Sequence, residues 1–522
     1  MKIISKLKLL NFKKYRDFEV DFTEGINLLI GDNEAGKSTI LQAIDLVLST
    51  SKSKIESGGV ENFFNQQVIE EYSNLSSKNY ADLPIMRVEL YLDGEGICYK
   101  PELNGKNNSI NISSFGLQLI CEPNDELQNE ICDALIQPDF HFPFEYYSIK
   151  FKTFSGDICS SFRKFITGLM IDNSQINNEY AMSQYIKSVY ESQVAHTDRL
   201  NKQHEYRKIK NTFQTDHFSI SNGNQHKFGF KASAKHRLEN DLTLISDENI
   251  PIENRGKGHQ CFIKTQFALN RNQAQAIDVL LLEEPENHLS HLKMHQLVQM
   301  INQNGQSEQQ IFISTHNSLI ASRLDLKNAL LLRGQETCSL SSLDEDTAKF
   351  FIKAPNHKLL EFILSERVIL VEGDAEFILL DEMYRTHVIQ TTASNNIYLM
   401  SVDGMSFKRF MTIAKLLSIK TAVIRDNDSD GQKNCIDNYS SYIDDHIKVF
   451  FDADDSRHTF EICVYQDNQN ICNALFTTPK RQLPIQEYML KNKTDVALAL
   501  LEKSDDLAMP QYIREAFEWI SM

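Results

Sequence analysis

The chain has 522 residues, 41% of them hydrophobic, which is length and apolar content for roughly two to four packed domains. Its net charge of −17 at pH 7 excludes a protein that coats nucleic acid by bulk electrostatics, although clustered carboxylates holding divalent cations would still permit local contact with a phosphate backbone. No apolar run reaches the roughly 18–20 residues of a membrane span, and no membrane partner is expected.

The lysine-rich start, MKIISKLKLLNFKKY, alternates apolar and charged positions as a strand does. It lacks the continuous apolar centre of a signal peptide, so the expected location is the cytoplasm. Residues 1–50 read as strand, turn, strand, loop, helix: Ile26 to Ile30 is a short apolar strand, 31–36 a loop, and Ser38 to Leu48 has helical spacing. The alternating stretch from Pro84 to Tyr99 predicts a β-hairpin turning at Asp93-Gly94-Glu95-Gly96. Residues of about 160–215 are polar and read as helical; the basic stretch from His196 to Arg237 suits a solvated helical face, a dimerisation insert or a nucleic-acid contact. Apolar runs of strand length follow at 276–282, at 309–314 and at Val368 to Val371. From near residue 360 strands alternate with helices, the sign of a mostly parallel α/β sheet. A boundary is expected at 355–365, between a domain of residues 1–355 and one of residues 362–522. The nine cysteines are scattered and none forms a Cys-x-x-Cys pair, which points to reduced thiols rather than a zinc ribbon or a disulfide framework.

Gly31-Asp32-Asn33-Glu34-Ala35-Gly36-Lys37-Ser38, set between a strand and a helix, fits the phosphate-binding loop pattern. Glycines let the backbone wrap phosphates without a Cβ in the way, and the helix N-terminus offers free N–H groups with partial positive charge. Lys37 is expected to reach the β- and γ-phosphates and Ser38 to bind Mg²⁺, with Gly31, Asn33, Gly36 and Thr39 completing the cradle. ATP with Mg²⁺ or Mn²⁺ is the expected cofactor. About 240 residues further on, the apolar strand Ile277 to Leu282 runs into Glu283-Glu284-Pro285-Glu286. Glu283 suits the metal's shell and Glu284 the polarisation of an attacking water. The strand Gln310 to Ser314 is followed by Thr315 and His316, which places His316 to sense the γ-phosphate.

In this order the motifs resemble those of the ABC-type ATPases of the SMC, RecF and OLD group. Leu9-x-Asn11-Phe12-Lys13-Lys14-Tyr15 is similar to that group's first strand motif, with Lys13 where an arginine is usual. Arg255-Gly256-Lys257-Gly258-His259-Gln260 resembles the degenerate signature loop of OLD-type proteins, and Glu283 in place of an aspartate is OLD-like too. The resemblance implies that Gly256 and Gly258 cover ATP held by a second protomer. A homodimer or higher even oligomer follows, with nucleotide in the seam and residues of about 160–215 as a helical dimerisation insert. Gln66 is the candidate Q-loop residue.

A second ordered set lies beyond residue 360. Ile369 to Val371 is a strand ending in Glu372-Gly373, with Glu376 four residues after the first acid; Val402-Asp403-Gly404 follows, then Ala422 to Arg425 leading into Asp426-Asn427-Asp428-Ser429-Asp430. Open α/β sheets place their sites at the carboxyl ends of strands, and hard oxygen ligands there suit Mg²⁺ or Mn²⁺. This order resembles a Toprim domain. Glu376, Glu461 in His458-Thr459-Phe460-Glu461, and the lysine-bearing Lys491-Asn492-Lys493-Thr494 narrow the resemblance to OLD-family nucleases. It implies Glu372, Asp426 and Asp428 as a shared metal core and Glu376 and Glu461 as ligands of a second metal. Asp430 is an assisting acid, and either Lys493 or Lys491 offsets charge in the transition state.

The fold class implied is α/β, an ABC-type P-loop ATPase domain with a helical insert followed by a C-terminal Toprim domain. The function implied is an ATP-regulated, divalent-metal-dependent DNA endonuclease, a hydrolase similar to the nuclease subunits of Gabija-type antiphage systems, with DNA and a UvrD-like helicase as partners. A topoisomerase or primase is the weaker enzyme reading, because the C-terminal part has little room for a tyrosine-bearing DNA-binding domain and the chain has no cysteine pairs. The reading from a different class is an ATPase sensor or scaffold whose inactive Toprim domain recruits an effector.

Overall fold

Apolar runs that are buried on both faces form interior strands, because only a strand covered on either side can be hydrophobic at every position. Ile26–Ile30, Val279–Glu283 and Gln310–Thr315 are such runs, buried throughout. In the computed structural model they lie side by side in a six-stranded sheet of order Glu336–Ser339, Ala329–Arg333, Ile26–Ile30, Gln310–Thr315, Val279–Glu283, Gly168–Asp172. All neighbours are parallel except the outer pair Ala329–Arg333 and Glu336–Ser339. The register pairs Thr315 with Ile30 and Ser314 with Glu283, so the three expected nucleotide motifs leave the sheet at one edge. The structure describes residues 3–522 except 95–96, 98, 138, 163–164, 173–185, 188–189, 191–193, 218–237, 239–240, 246–248, 270–276, 305–308, 325–328, 334–335, 340–345, 348, 351–357, 389–390, 403–406 and 479–482.

The chain divides into two units, Met1–Ser339 and Leu340–Met522. The first also holds an antiparallel sheet in which Tyr15–Asp21, Ile4–Phe12, Met86–Leu92 and Ser114–Pro123 are successive neighbours, with Asn104–Gly105 and Tyr147–Thr153 both on the last. Helix Lys37–Ser49 packs on strands of both sheets and buries Ile40, Leu41, Ile44 and Val47. Gln310, fully buried, stitches the sheets together: its Oε1 accepts from the Ile4 amide at 2.9 Å, and its Nε2 donates to the carbonyls of Ile4 at 2.9 Å and Thr23 at 3.1 Å.

Two expectations fail here. Among the described residues the hairpin expected about 93–96 is not found: Met86–Leu92 is flanked on one side by Ile4–Phe12 and on the other by Ser114–Pro123. Both of its edges are used, and even Glu89 on it is buried, so no edge remains for a returning strand. The stretch of about 160–215 is not helical throughout: Gly168–Asp172 is an edge strand paired with Val279–Glu283, and the described helix is His196–His217. Pairing with an apolar neighbour overrides a polar local context. Much of the rest of that stretch, and residues 218–237 of the basic segment, lie outside the described residues.

The second unit is a four-stranded parallel sheet of order Ile397–Ser401, Arg367–Val371, Lys420–Ile424, Ile447–Phe450. From Arg367–Val371 the chain first crosses to one side and then returns to the other, so the topological switch falls between Arg367–Val371 and Lys420–Ile424. A crevice opens at the carboxyl ends of strands at such a switch. Helix Gln511–Ser521 buries Ile513, Ala516, Phe517 and Ile520 and packs on Lys420–Ile424. Among the described residues no helix is long and apolar enough to cross a membrane.

Candidate functional site

The loop between Ile30 and Lys37 is shaped by backbone constraints. Gly36 has φ 104°, and a Cβ there would sit 2.2 Å from the Tyr15 hydroxyl, so both conformation and space demand glycine. Lys37 is only 6% exposed and its Nζ donates to the carbonyls of Gly31 at 2.6 Å and Asp32 at 2.8 Å. Burial lowers its pKa, opposed by the nearby Glu284, Asp32, Glu286 and Glu283. A cavity of about 360 Å³ lies here, lined by Lys13, Asn33, Gly36, Lys37, Ser38 and Thr39, with Glu284 also in its wall. Lys13 is held at φ 48° and its Nζ donates to Gln42 Oε1.

Glu283 is 8% exposed; burial raises its carboxyl pKa, while a hydrogen bond from Ser38 acts the other way. Ser38 and Glu283, the expected ligands of the ATP metal, thus lie near one another. Glu284, at φ 43°, places Oε1 3.3 Å from His316 Nδ1. The register that aligns Ser314 with Glu283 brings this histidine to the second acid. Sequence reasoning gave no role to Glu286, which anchors the arrangement. Its Oε1 accepts from Thr315 Oγ1 at 2.5 Å and from the His316 amide at 3.3 Å, while Oε2 is buried with no hydrogen-bond partner. Gly256 and Gly258 do not line the cavity. Gly258 lies against the backbone after the acidic strand, where a Cβ would come within 2.1 Å of the His288 carbonyl, and Gly256 faces open space. Gln66 opens helix Gln66–Ser73 and donates to the Glu61 carbonyl at 3.1 Å.

In the second unit, Glu372 follows the end of strand Arg367–Val371, and Asp426 follows Lys420–Ile424 after Arg425. The two acids flank the topological switch. Glu376 stands in the first turn of helix Asp374–Val388 and is 6% exposed; Glu461 stands in the first turn of helix Phe460–Asp467 and is 3% exposed. Asp426 Oδ1 accepts from the Phe460 amide at 2.8 Å, which ties the Asp426 loop to the Glu461 helix. Lys493 Nζ is 3.0 Å from Glu461 Oε1 but out of line for a hydrogen bond, so both Glu461 oxygens are buried with no hydrogen-bond donor. Lys493 opens helix Lys493–Leu501, whereas Lys491 closes the helix before it; both are exposed, and the contact with Glu461 belongs to Lys493. The fold thus sets Lys493 against the acids. Burial disfavours its ammonium, but Glu461, Asp426 and Glu376 more than offset that, and its pKa is raised.

The acids feel one another. Burial first, then the neighbouring Glu376, Glu372 and Glu461, push Asp426 up to about 8. Glu376 is pushed up to about 7 by burial and then by Glu461 and Glu372. Among the described residues no three acid, histidine or cysteine side chains form a ready cage for an ion; Glu372 and Asp428 turn to Arg425, and Asp426 to the Phe460 amide. The donor chemistry nonetheless fits divalent cations: hard oxygens, crowded, and at Glu461 buried without hydrogen-bond donors. Asp430 Oδ1 accepts from the Lys433 amide at 3.1 Å. Asp403 and Gly404 lie outside the described residues.

The loop carrying these acids is strained, with Asp428 at φ 49° and Ser429 at φ 65°. Asn427, 1% exposed, holds it there. Its Nδ2 donates to the carbonyls of Asp452 at 2.8 Å and Asp454 at 3.0 Å, and its Oδ1 accepts from the Ser429 amide at 2.9 Å. Arg457 fixes the approach to Glu461 through Asp452 at 2.7 Å and Asp467 at 2.8 Å. Asn427, Arg457 and Arg425 escaped sequence reasoning. For Arg425 and Asn427 a signal existed, since one adjoins the acidic run and the other sits inside it.

The raised carboxyl pKa values carry a sign for stability. The folded chain keeps protons on Glu376 and Asp426 up to about 7 and 8, whereas the unfolded chain releases them near its ordinary carboxyl range, about 4. Between those limits the unfolded state binds fewer protons, so stability falls as pH rises, by on the order of 1 kcal/mol per pH unit for one such group. The second unit is therefore expected to melt at a lower temperature at pH 8 than at pH 6 in EDTA, and Mn²⁺ is expected to raise the melting temperature more at pH 8. Thermal melts of the wild type beside Asp426→Asn, which should flatten the slope, check this; an identical slope in both would refute it.

A family model described as the Toprim domain of overcoming lysogenization defect (OLD) protein-like proteins matches residues 363–428. Two AAA domain models match residues 6–215 and 246–322, the second described as a putative AbiEii toxin of a type IV toxin–antitoxin system. Chromosome partition protein Smc of Methanococcus voltae is 32% identical over 111 residues, covering 20% of this chain and 9% of that protein. DNA replication and repair protein RecF of Rippkaea orientalis is 28% identical over 156 residues, covering 28% of this chain and 41% of that protein. The chain thus spans less than half the length of these curated relatives. Among solved structures, the C-terminal region of the Xanthomonas campestris pv. campestris OLD protein is 20% identical, covering 30% of this chain and 95% of that one, with a TM-score of 0.24. The SMC head domain from Thermotoga maritima is 14% identical, covering 63% and 94%, with a TM-score of 0.30.

Proposed function

From a chain that joins an AAA-type P-loop ATPase region to an OLD-like Toprim domain, we propose an ATP-regulated, divalent-metal-dependent DNA endonuclease acting in antiphage defence. The observation that carries the reading is the crowding of Glu461, 3% exposed, with Glu376, 6% exposed, and Asp426 around Lys493, whose Nζ lies 3.0 Å from Glu461 Oε1. A protein that used this unit only as a scaffold would gain from replacing some of these acids by apolar groups, because Glu461, Glu376 and Asp426 crowd around Lys493, the cation that pairs with Glu461, and burying carboxyl groups in excess of their counter-charge is costly. Divalent ions bound there would supply charge neutralisation and activation of water. Glu372, Asp426 and Asp428 would hold a shared core, and Glu376 and Glu461 the second ion. The Lys493 ammonium would face negative charge developing on a scissile phosphate. The names of the RecF relatives, DNA replication and repair proteins, support DNA as the partner.

In the first unit, Ser38 and Glu283 would hold the magnesium of ATP, Glu284 would polarise water, and His316 would read the γ-phosphate. Gly256, which faces open space, and Gly258 would cover ATP held by a second protomer, in a homodimer with nucleotide in the seam. A UvrD-like helicase is a further proposed partner. Incubation of the purified chain with supercoiled plasmid and Mg²⁺ or Mn²⁺, with and without ATP, tests the reading. Metal-dependent conversion to nicked or linear DNA is expected, and the ATP lanes give the sign of regulation. No cleavage in any lane, even with a co-purified partner, would overturn the reading in favour of an effector-recruiting scaffold.

A further inference from the structure

Arg425 is the last residue before the acidic run, and its amide donates to the Phe450 carbonyl at 3.0 Å, which fixes its backbone at the sheet's edge. Its guanidinium spans both sides of the topological switch. One Nη donates to Glu372 Oε2, and the other to Asp428 Oδ2 at 3.0 Å. The arginine side chain is 20% exposed, against 41% for Glu372 and 50% for Asp428, so the cation lies deeper than the acids it joins. It also stacks over Phe407, 5.8 Å from the ring centroid, while its buried Nε has no hydrogen-bond partner.

A carboxylate oxygen that accepts from a guanidinium cannot direct the same lone pair at a metal ion, and two cations brought to one site repel each other. Resting on the metal reading of this unit, we propose that Arg425 is an internal counter-cation that competes with the divalent ion for Glu372 and Asp428 and so sets the metal concentration at which the site fills. The planar fork of the guanidinium neutralises two acids at once, where a lysine offers one point charge. Arg425 therefore weakens metal binding although it neighbours the ligands, the reverse of what a purely structural support would do.

Isothermal titration of the full chain with Mn²⁺, without nucleotide or DNA, separates the two roles. The sites to be counted are those that disappear in Glu372→Gln. Arg425→Gln is expected to bind Mn²⁺ there about tenfold more tightly than wild type, and Arg425→Lys about threefold. A structural support predicts weaker binding in both variants, because the acids would lose their restraint. Unchanged or weaker affinity in Arg425→Gln overturns the proposal, and should that variant fail to fold, the same result in Arg425→Lys does so. A wild type with no Glu372-dependent Mn²⁺ site would instead overturn the metal reading, and this inference with it.

Discussion

Glu372→Ala is expected to reduce metal-dependent cleavage of supercoiled plasmid to background, a loss on the order of a thousandfold or more. Glu372 sits at the switch point of the sheet, across from Asp426, where an ion shared between two strand ends would lie. The loss should not come from unfolding. The Glu372 side chain is 41% exposed and its ion pair with Arg425 is one of two that the arginine makes. Removing a pair this exposed costs at most about 1 kcal/mol. The variant should therefore melt within a few degrees of wild type, and circular dichroism during heating checks that control. Retained cleavage in a folded Glu372→Ala chain would place the nuclease elsewhere or remove it altogether.

Lys37→Ala is expected to weaken ATP binding at least about a hundredfold, or about 2.7 kcal/mol, through loss of a charge-assisted contact to the terminal phosphates. The structure sharpens this beyond the motif. The Lys37 ammonium is buried, and it rests on the carbonyls of Gly31 and Asp32, inside the cavity whose shape a phosphate chain would fill. Burial disfavours its charge, so a phosphate that restores a counter-charge gains more there than at an exposed lysine. Titration with a fluorescent ATP analogue measures the effect, and wild-type affinity in the variant would refute it. The same variant in the plasmid assay separates two modes of regulation: constitutive cutting if nucleotide restrains the nuclease, and no cutting with ATP present if nucleotide drives it.

Both candidate sites were legible in the sequence because their chemistry depends on local order. A phosphate loop needs glycines at fixed spacing between a strand and a helix, and Gly31, Gly36, Lys37 and Ser38 keep that spacing over a few residues. The acids at Glu372 and Asp426 were visible because each follows an apolar run, and an apolar run of that length in an α/β chain becomes an interior strand with a carboxyl end. The hairpin expected at Asp93 failed for the opposite reason: alternation shows that a segment is a strand but not which strand pairs with it, and Met86–Leu92 took both its neighbours from distant sequence. Gly168–Asp172 was lost within a polar context for the same cause.

Local order in the chain was thus enough for the set of motifs and the alternation of strands and helices, since both are written in runs shorter than about ten residues. Tertiary structure decided which side chains meet. It chose Lys493 rather than Lys491 as the neighbour of Glu461, gave Asp430 Oδ1 to the Lys433 amide, and made Glu286 the anchor of Thr315 and His316. It also laid Arg425 across Glu372 and Asp428. Each of these depends on the rotation of a helix or the order of strands in a sheet. Those are set by burial of apolar faces summed over a whole unit, a quantity that no short window of sequence contains.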